Sequence, residues 1–141
     1  MLRICPTCGQ KNRIPAKHIA DDGVCGACKA VLGADVVVHV DAADFDAVVA
    51  AARVPVLVDF YADWCGPCRA AAPHLEGLAK EMKNKAVILK VNTDNEPQLA
   101  RRFGVRGIPH FVVLSHGKPV VEQAGLVDKA QMRAWLTAAG A

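Results

Sequence analysis

The chain has 141 residues, 52% of them hydrophobic, with 17 Lys/Arg against 14 Asp/Glu and a formal net charge of +3. This length accommodates one ordinary domain plus a small appendage, and the weak charge argues against a nucleic-acid footprint. No apolar run is long enough to cross a bilayer.

Cys5-Pro6-Thr7-Cys8 and Cys25-Gly26-Ala27-Cys28 are two Cys-x-x-Cys pairs with sixteen residues between them, and they predict a zinc ribbon as the first element. That spacing suits four thiolates arranged as a tetrahedron around one structural Zn²⁺ per chain. Gly9 and Gly26 are placed to permit the tight turns beside the ligands. No aromatic residue precedes Phe45, so the segment buries little core and a metal has to supply much of its folding energy. Two extra disulfides, or a second redox pair, are the competing readings. His18 is an alternative ligand, but four cysteines already close the site. Residues 1–34 hold five Lys/Arg against two Asp/Glu. Four thiolates with one Zn²⁺ lower that formal +3 to about +1.

A boundary near Gly33-Ala34 divides the chain into a ribbon of residues 1–34 and a larger unit of residues 35–141. The larger unit reads as strand 36–40, helix 42–52, strand 55–61, helix 65–83, strand 86–92 and helix 96–103. Strands 110–115 and 119–124 and helix 128–139 follow. Asp41 can cap the first helix, Gly104 can end the third, and His116-Gly117-Lys118 is a short hairpin connection. Met132, Trp135, Leu136 and Ala139 form an apolar stripe on the last helix, which is core. Alternating strands and helices imply α/β layers, a central sheet flanked by helices.

Trp64-Cys65-Gly66-Pro67-Cys68 carries the chemistry. An apolar strand, Pro55 to Tyr61, precedes it and the run from Arg69 to Met82 that follows reads as helix, so this Cys-x-x-Cys sits at a strand-to-helix junction and reads as redox. The first N–H groups of a helix lack partners and carry partial positive charge, which stabilises a thiolate at Cys65. Pro67 suits an early helical position. Cys68 lies nearer the helix body and releases its proton less readily. Cys65 is therefore the expected nucleophile and Cys68 the resolving thiol.

Asp59 sits inside the apolar strand, where burial raises a carboxyl pKa. It is a candidate acceptor for the Cys68 proton. The alternative is a structural Asp satisfied by backbone or by Lys90. Ile108-Pro109 precedes a strand, and X-Pro bonds are the usual place for a cis peptide. The Ile108 backbone is then free to pair with an extended substrate segment, within an apolar surround of Trp64, Pro67, Ile108, Ala124 and Leu126.

From about Val36 to the C-terminus the chain resembles the thioredoxins. The resemblance rests on Val58-Asp59-Phe60-Tyr61-Ala62-Asp63-Trp64-Cys65-Gly66-Pro67-Cys68, on Pro73, on Gly107-Ile108-Pro109, and on Gly117 and Gly125. It implies a thioredoxin fold with a mixed central sheet. It further implies a catalytic set of Cys65, Cys68, Asp59 and its neighbour Lys90, and a substrate groove of Trp64, Gly66, Pro67, Ile108, cis-Pro109 and Gly125. Tyr61 stands where many members carry tryptophan, and His110 where threonine is common; the favoured reading of His110 is a residue that fills a strand position. With both knuckles and Asn12-Arg13-Ile14-Pro15 between them, the whole chain resembles the zinc-bearing thioredoxin 2 branch of bacteria.

The resemblance implies a protein-disulfide reductase. Its partners would be disulfide-containing client proteins and an NADPH-dependent thioredoxin reductase, with no nucleic acid and no membrane, and it would act as a monomer. Met1 to Cys5 leaves no room for a leader before the first ligand, and six thiols suit a reducing compartment, so a cytoplasmic location is expected. Two rival classes are a redox-gated chaperone or sensor that binds clients on metal loss, and a nucleic-acid-binding ribbon. The lack of aromatics in residues 1–34 counts against the second.

Overall fold

The computed structural model describes all residues, 1–141. Its N-terminal part is two short antiparallel hairpins. Strand β1 (Leu2–Ile4) pairs with β2 (Lys11–Arg13), and β3 (Gly23–Val24) pairs with β4 (Val31–Leu32). A 3₁₀ turn at Ala16–His18 connects them. Only Cys5, Ile14, Cys25 and Leu32 form the ribbon's core. Arg3 compensates by acting as an internal brace. Its buried guanidinium donates to the carbonyls of Ile19 (2.7 Å), Asp21 (2.7 Å) and Leu32 (3.3 Å), tying the second hairpin to the first.

The remaining strands form one five-stranded sheet in the order β5 (Val38–His39), β7 (Val87–Asn92), β6 (Val56–Tyr61), β8 (His110–Ser115), β9 (Lys118–Ala124). The first three run parallel and the last two antiparallel. Strand β6 lies at the centre because both of its faces are apolar. Val56, Val58 and Phe60 pack against Phe45 and Val48 of α1 (Ala42–Ala51) and Leu99 of α3 (Pro97–Arg102). On the other face Leu57 joins Ala71, Leu75 and Leu78 of α2 (Gly66–Glu81) and Met132 and Leu136 of α4 (Lys129–Ala138). Asp41 caps α1 by accepting from the Asp44 N–H at 2.8 Å.

Several boundaries differ from the sequence reading. The strand expected over 36–40 is in register with β7 at Val38–His39, with the Val40 N–H donating to the Lys90 carbonyl at 3.0 Å, and Val36 is exposed. The helix expected from residue 65 begins at Gly66, because Cys65 is extended (φ −84°, ψ 114°) and caps it. Pro73 lies inside α2 without ending it.

The ribbon is docked on the larger unit. Met1 and Ile19 are buried in the same cluster as Val38, Val40, Phe45 and Val48. Asn84 Nδ2 donates to the Ala20 carbonyl at 2.6 Å, and Lys83 pairs with Asp22 at 3.1 Å.

At the far end of α2, Glu81 accepts a forked pair of bonds from Arg133 (2.7 and 3.1 Å) and pairs with Lys129 at 2.6 Å, clasping α2 to α4. Those two cations, Arg133 foremost, hold the Glu81 carboxyl down to about 2. A depressed carboxyl pKa stabilises the fold above the ordinary carboxylate range, and that stability is lost as pH falls toward the folded value. Glu81→Gln should therefore lower the melting temperature slightly near neutral pH, the effect being limited by solvent screening. The two melting curves should converge near pH 2 in differential scanning calorimetry.

Candidate active site and metal centre

Strand β6 delivers the Trp64–Cys68 segment to the N-terminus of α2. Cys65 and Cys68 are joined as a disulfide, with Cα atoms 5.2 Å apart. Cys65 is the N-cap, and its sulfur accepts the backbone N–H of Cys68 at 3.2 Å. One of the orphan donors of the helix thus points at this sulfur, where it lowers the energy of a thiolate. Both cysteines are buried.

Facing the pair, the Ile108–Pro109 peptide is cis, and the Ile108 carbonyl oxygen lies 3.7 Å from Cys65 Sγ. Gly125 adopts a left-handed conformation (φ +95°) that favours glycine, and its N–H donates to the Pro109 carbonyl at 2.8 Å. Tyr61 and Ile108 pack against the pair, while Gly66, Pro67 and Trp64 are exposed, so the segment that carries it is open to solvent. Trp64 Nε1 donates to Asp94 Oδ2 at 3.0 Å, which ties the exposed ring to the loop before α3. Asp94 lies in the loop before α3, and nothing in the sequence pattern marked it.

Asp59 is fully buried on the α2 side of β6, and neither carboxylate oxygen has a hydrogen-bond partner. Burial pushes its pKa up to about 7, against a downward pull from Lys90. Lys90 is the cross-strand partner of Asp59, yet the two make no ion pair; its ammonium lies 4.2 Å from the Tyr61 ring centroid. His110 opens β8, half-buried against Phe60 at 6.1 Å between ring centroids, and burial lowers its pKa.

The other four cysteines converge. The sulfurs of Cys5, Cys8, Cys25 and Cys28 all lie within 4.8 Å of one another. Cys5 and Cys28 approach to 3.6 Å, as do Cys8 and Cys25. Thiolates about 2.3 Å from a central ion would stand about 3.8 Å apart in a tetrahedron, so the donor set fits a metal. The two knuckles repeat one turn. Cys5 N–H donates to the Gln10 carbonyl and Cys25 N–H to the Ala30 carbonyl; Gly9 and Lys29 then donate back to the Cys5 and Cys25 carbonyls. In this turn Gly9 (φ +78°) and Lys29 (φ +66°) take the left-handed position. Gly26, expected to serve the second turn, instead donates its N–H to Asn12 Oδ1 at 3.0 Å. Asn12 also donates to Cys25 Sγ at 3.5 Å, and the Ala27 N–H does so at 3.4 Å. These donors favour the thiolate that a metal requires. His18 lies outside the cluster, bonded to Asp21 at 3.0 Å.

The family model described as Thioredoxin matches residues 36–138. The chain belongs to the thioredoxin family. A second model, Thioredoxin 2, N-terminal, matches residues 4–30, so this is a thioredoxin of the ribbon-bearing type 2. Thioredoxin C-3 of Corynebacterium nephridii is 32% identical over 136 residues, covering 96% of this chain and 93% of the relative. The thioredoxin of Haemophilus influenzae is 42% identical over 96 residues, covering 68% and 90%. Among solved structures, a mutant thioredoxin from Halobacterium salinarum NRC-1 superposes with a TM-score of 0.71. It is 34% identical and the match covers 76% of this chain and 93% of that one. Thioredoxin F from spinach chloroplast gives 0.70 at 31% identity, covering 76% and 88%. This thioredoxin is a protein-disulfide oxidoreductase, with Cys65 and Cys68 as its redox dithiol and a four-cysteine metal site in its ribbon.

Proposed function

We propose that Cys65 is the attacking thiolate, Cys68 the resolving thiol and Asp59 the acceptor of the Cys68 proton. The observation that carries this order is the Cys68 N–H aimed at Cys65 Sγ at the start of α2. The Cys65 thiolate attacks one sulfur of a client disulfide, forming a mixed disulfide and releasing the other client sulfur, which takes up a proton. Cys68 then loses its proton to Asp59 and attacks Cys65 Sγ. The Cys65–Cys68 disulfide forms and the second client sulfur leaves, so two electrons pass to the client. Trp64, Gly66, Pro67, Ile108, Pro109 and Gly125 would line the groove that holds an extended client segment.

The dithiol is restored, in this reading, by an NADPH-dependent thioredoxin reductase, and the protein acts as a cytoplasmic monomer without nucleic-acid or membrane partners. One Zn²⁺ held by Cys5, Cys8, Cys25 and Cys28 serves the fold of residues 1–34, and residues 35–141 carry the redox chemistry. Reduction of insulin disulfides, followed by precipitation of the freed chains and by NADPH consumption with a reductase present, tests this function. Catalytic turnover is expected. Holdase activity confined to the oxidised, metal-free protein, with no turnover, would favour a redox-gated chaperone instead.

Asp59 gives a separable prediction. Its folded pKa is raised to about 7 by burial, so the folded protein binds a proton that the unfolded chain has already released. Stability therefore falls as pH rises from the ordinary carboxylate range to about 7 and stays reduced above it. Asp59→Asn removes this penalty and should stabilise the protein at pH about 8 by about 4 kcal/mol, shrinking toward zero near pH 4. In stopped-flow measurements the same variant should resolve a mixed disulfide roughly ten- to hundredfold more slowly, with Cys65 attack less affected. Unchanged resolution would make Asp59 purely structural.

A further inference from the structure

The α2 face of the sheet carries a polar row that the exchange chemistry does not by itself explain. His39 on β5 pairs in register with Lys90 on β7, which pairs in register with Asp59 on β6. In an apolar setting a carboxylate and an ammonium opposite each other are expected to join, because both gain by it. They do not. Both Asp59 oxygens lack a partner, and the Lys90 ammonium instead sits over the face of Tyr61, two residues beyond Asp59 on the same face of the strand. The Tyr61 hydroxyl meets His39 Nδ1 at 3.3 Å, and the two rings pack edge to face at 6.0 Å.

We propose that Tyr61 is a positioning residue: its ring face, braced by His39, holds the Lys90 ammonium away from Asp59 and so leaves the carboxyl unpaired and ready to take a proton. A cation over an aromatic face gains by the ring quadrupole, the more so when partly desolvated. Lys90 is only partly buried and also lines a cavity of about 320 Å³ with Asp35, His39, Glu76 and Lys80 among others, so the ammonium is not confined to the apolar interior. The ring and this cavity together compete with the carboxylate. Of the charged groups around this row, Asp35 precedes β5, Asp63 follows β6, and Glu76 and Lys80 come from α2. Lys90 is the one that acts on Asp59, pulling its pKa down against burial. Burial and Lys90 lower the His39 pKa against an upward pull from Asp63, which favours the neutral imidazole. It can therefore bond the phenol without adding a second charge.

The inference deepens the reading of Asp59 as proton acceptor and rests on it for its catalytic consequence, but its structural core can be measured independently. The carboxyl carbon of Asp59 is followed by NMR titration of the reduced, metal-loaded protein, in parallel with the pH profile of mixed-disulfide resolution. Removing the ring with Tyr61→Leu frees the ammonium to join the carboxylate, so the Asp59 titration should move to lower pH by about one unit, a tenfold change in its proton affinity. Tyr61→Phe keeps the ring face and should move it much less. Adding Lys90→Met to Tyr61→Leu should abolish the acid shift, which a merely loosened fold would not do. An Asp59 midpoint that stays put or rises in Tyr61→Leu overturns the proposal. If the NMR midpoint shifts as expected while resolution keeps its pH profile, the positioning role stands and the acceptor role of Asp59 fails.

Discussion

Cys65→Ser should abolish disulfide reduction, and Cys68→Ser should convert the protein into a trap. Without the Cys65 sulfur no thiolate occupies the N-cap position at which the Cys68 N–H points, and Cys68 itself lies inside the first turn of α2. Loss of a nucleophile in a concerted site removes nearly all turnover, so insulin reduction should fall by more than about 10³-fold. With Cys68→Ser the first attack still occurs, but nothing resolves it. Client chains should then accumulate covalently on Cys65, visible as adducts on non-reducing gels that disappear with excess dithiothreitol. Adducts on Cys5, Cys8, Cys25 or Cys28 would contradict the division of the six cysteines.

Metal removal has the second large effect, and it acts on one end of the molecule. The ribbon core consists of Cys5, Ile14, Cys25 and Leu32, two of them ligands, so little holds β1 to β4 in place once the thiolates repel one another. A strong chelator, or Cys25→Ser, should remove hydrogen-exchange protection from residues 1–34. The sheet from β5 to β9 has two large cores of its own and should persist. It should not persist unchanged. Met1 and Ile19 leave the cluster formed by Val38, Val40, Phe45 and Val48, and losing two buried aliphatic side chains costs up to about 3–6 kcal/mol. The melting temperature of the remaining unit should therefore fall while insulin reduction continues. Activity lost in step with the metal would make the ribbon part of the redox site.

The sequence carried the chemistry more fully than the connections between distant parts. Cys65 and Cys68 were placed by local signals, an apolar strand before them and a helix after, and that junction is where they stand. The convergence of the four ribbon cysteines was legible in their spacing, because a knuckle is a short-range object. Its turn chemistry was less so. Lys29 takes the left-handed position that a glycine was expected to relieve, while Gly26 serves a bond to Asn12. Three consecutive valines suggested a strand from residue 36, but pairing with β7 starts only at Val38 and ends with the Val40 N–H on the Lys90 carbonyl. Arg3 looks like any surface cation until three carbonyls 16 to 29 residues away converge on it. The docking of Met1 and Ile19, the bond from Trp64 to Asp94 and the capture of Lys90 by Tyr61 all join residues far apart in the chain. Each is decided by packing, which hydrophobic pattern and spacing do not encode.

The most direct test of the account is alkylation of the reduced, metal-loaded protein with a small excess of iodoacetamide across a range of pH, mapped by peptide mass spectrometry. A thiolate stabilised by the Cys68 N–H at the start of α2 predicts a single early label, on Cys65, that persists below the pH at which an ordinary thiol reacts. Early labelling of Cys68, or of any of the four ribbon cysteines while the metal is bound, would contradict it.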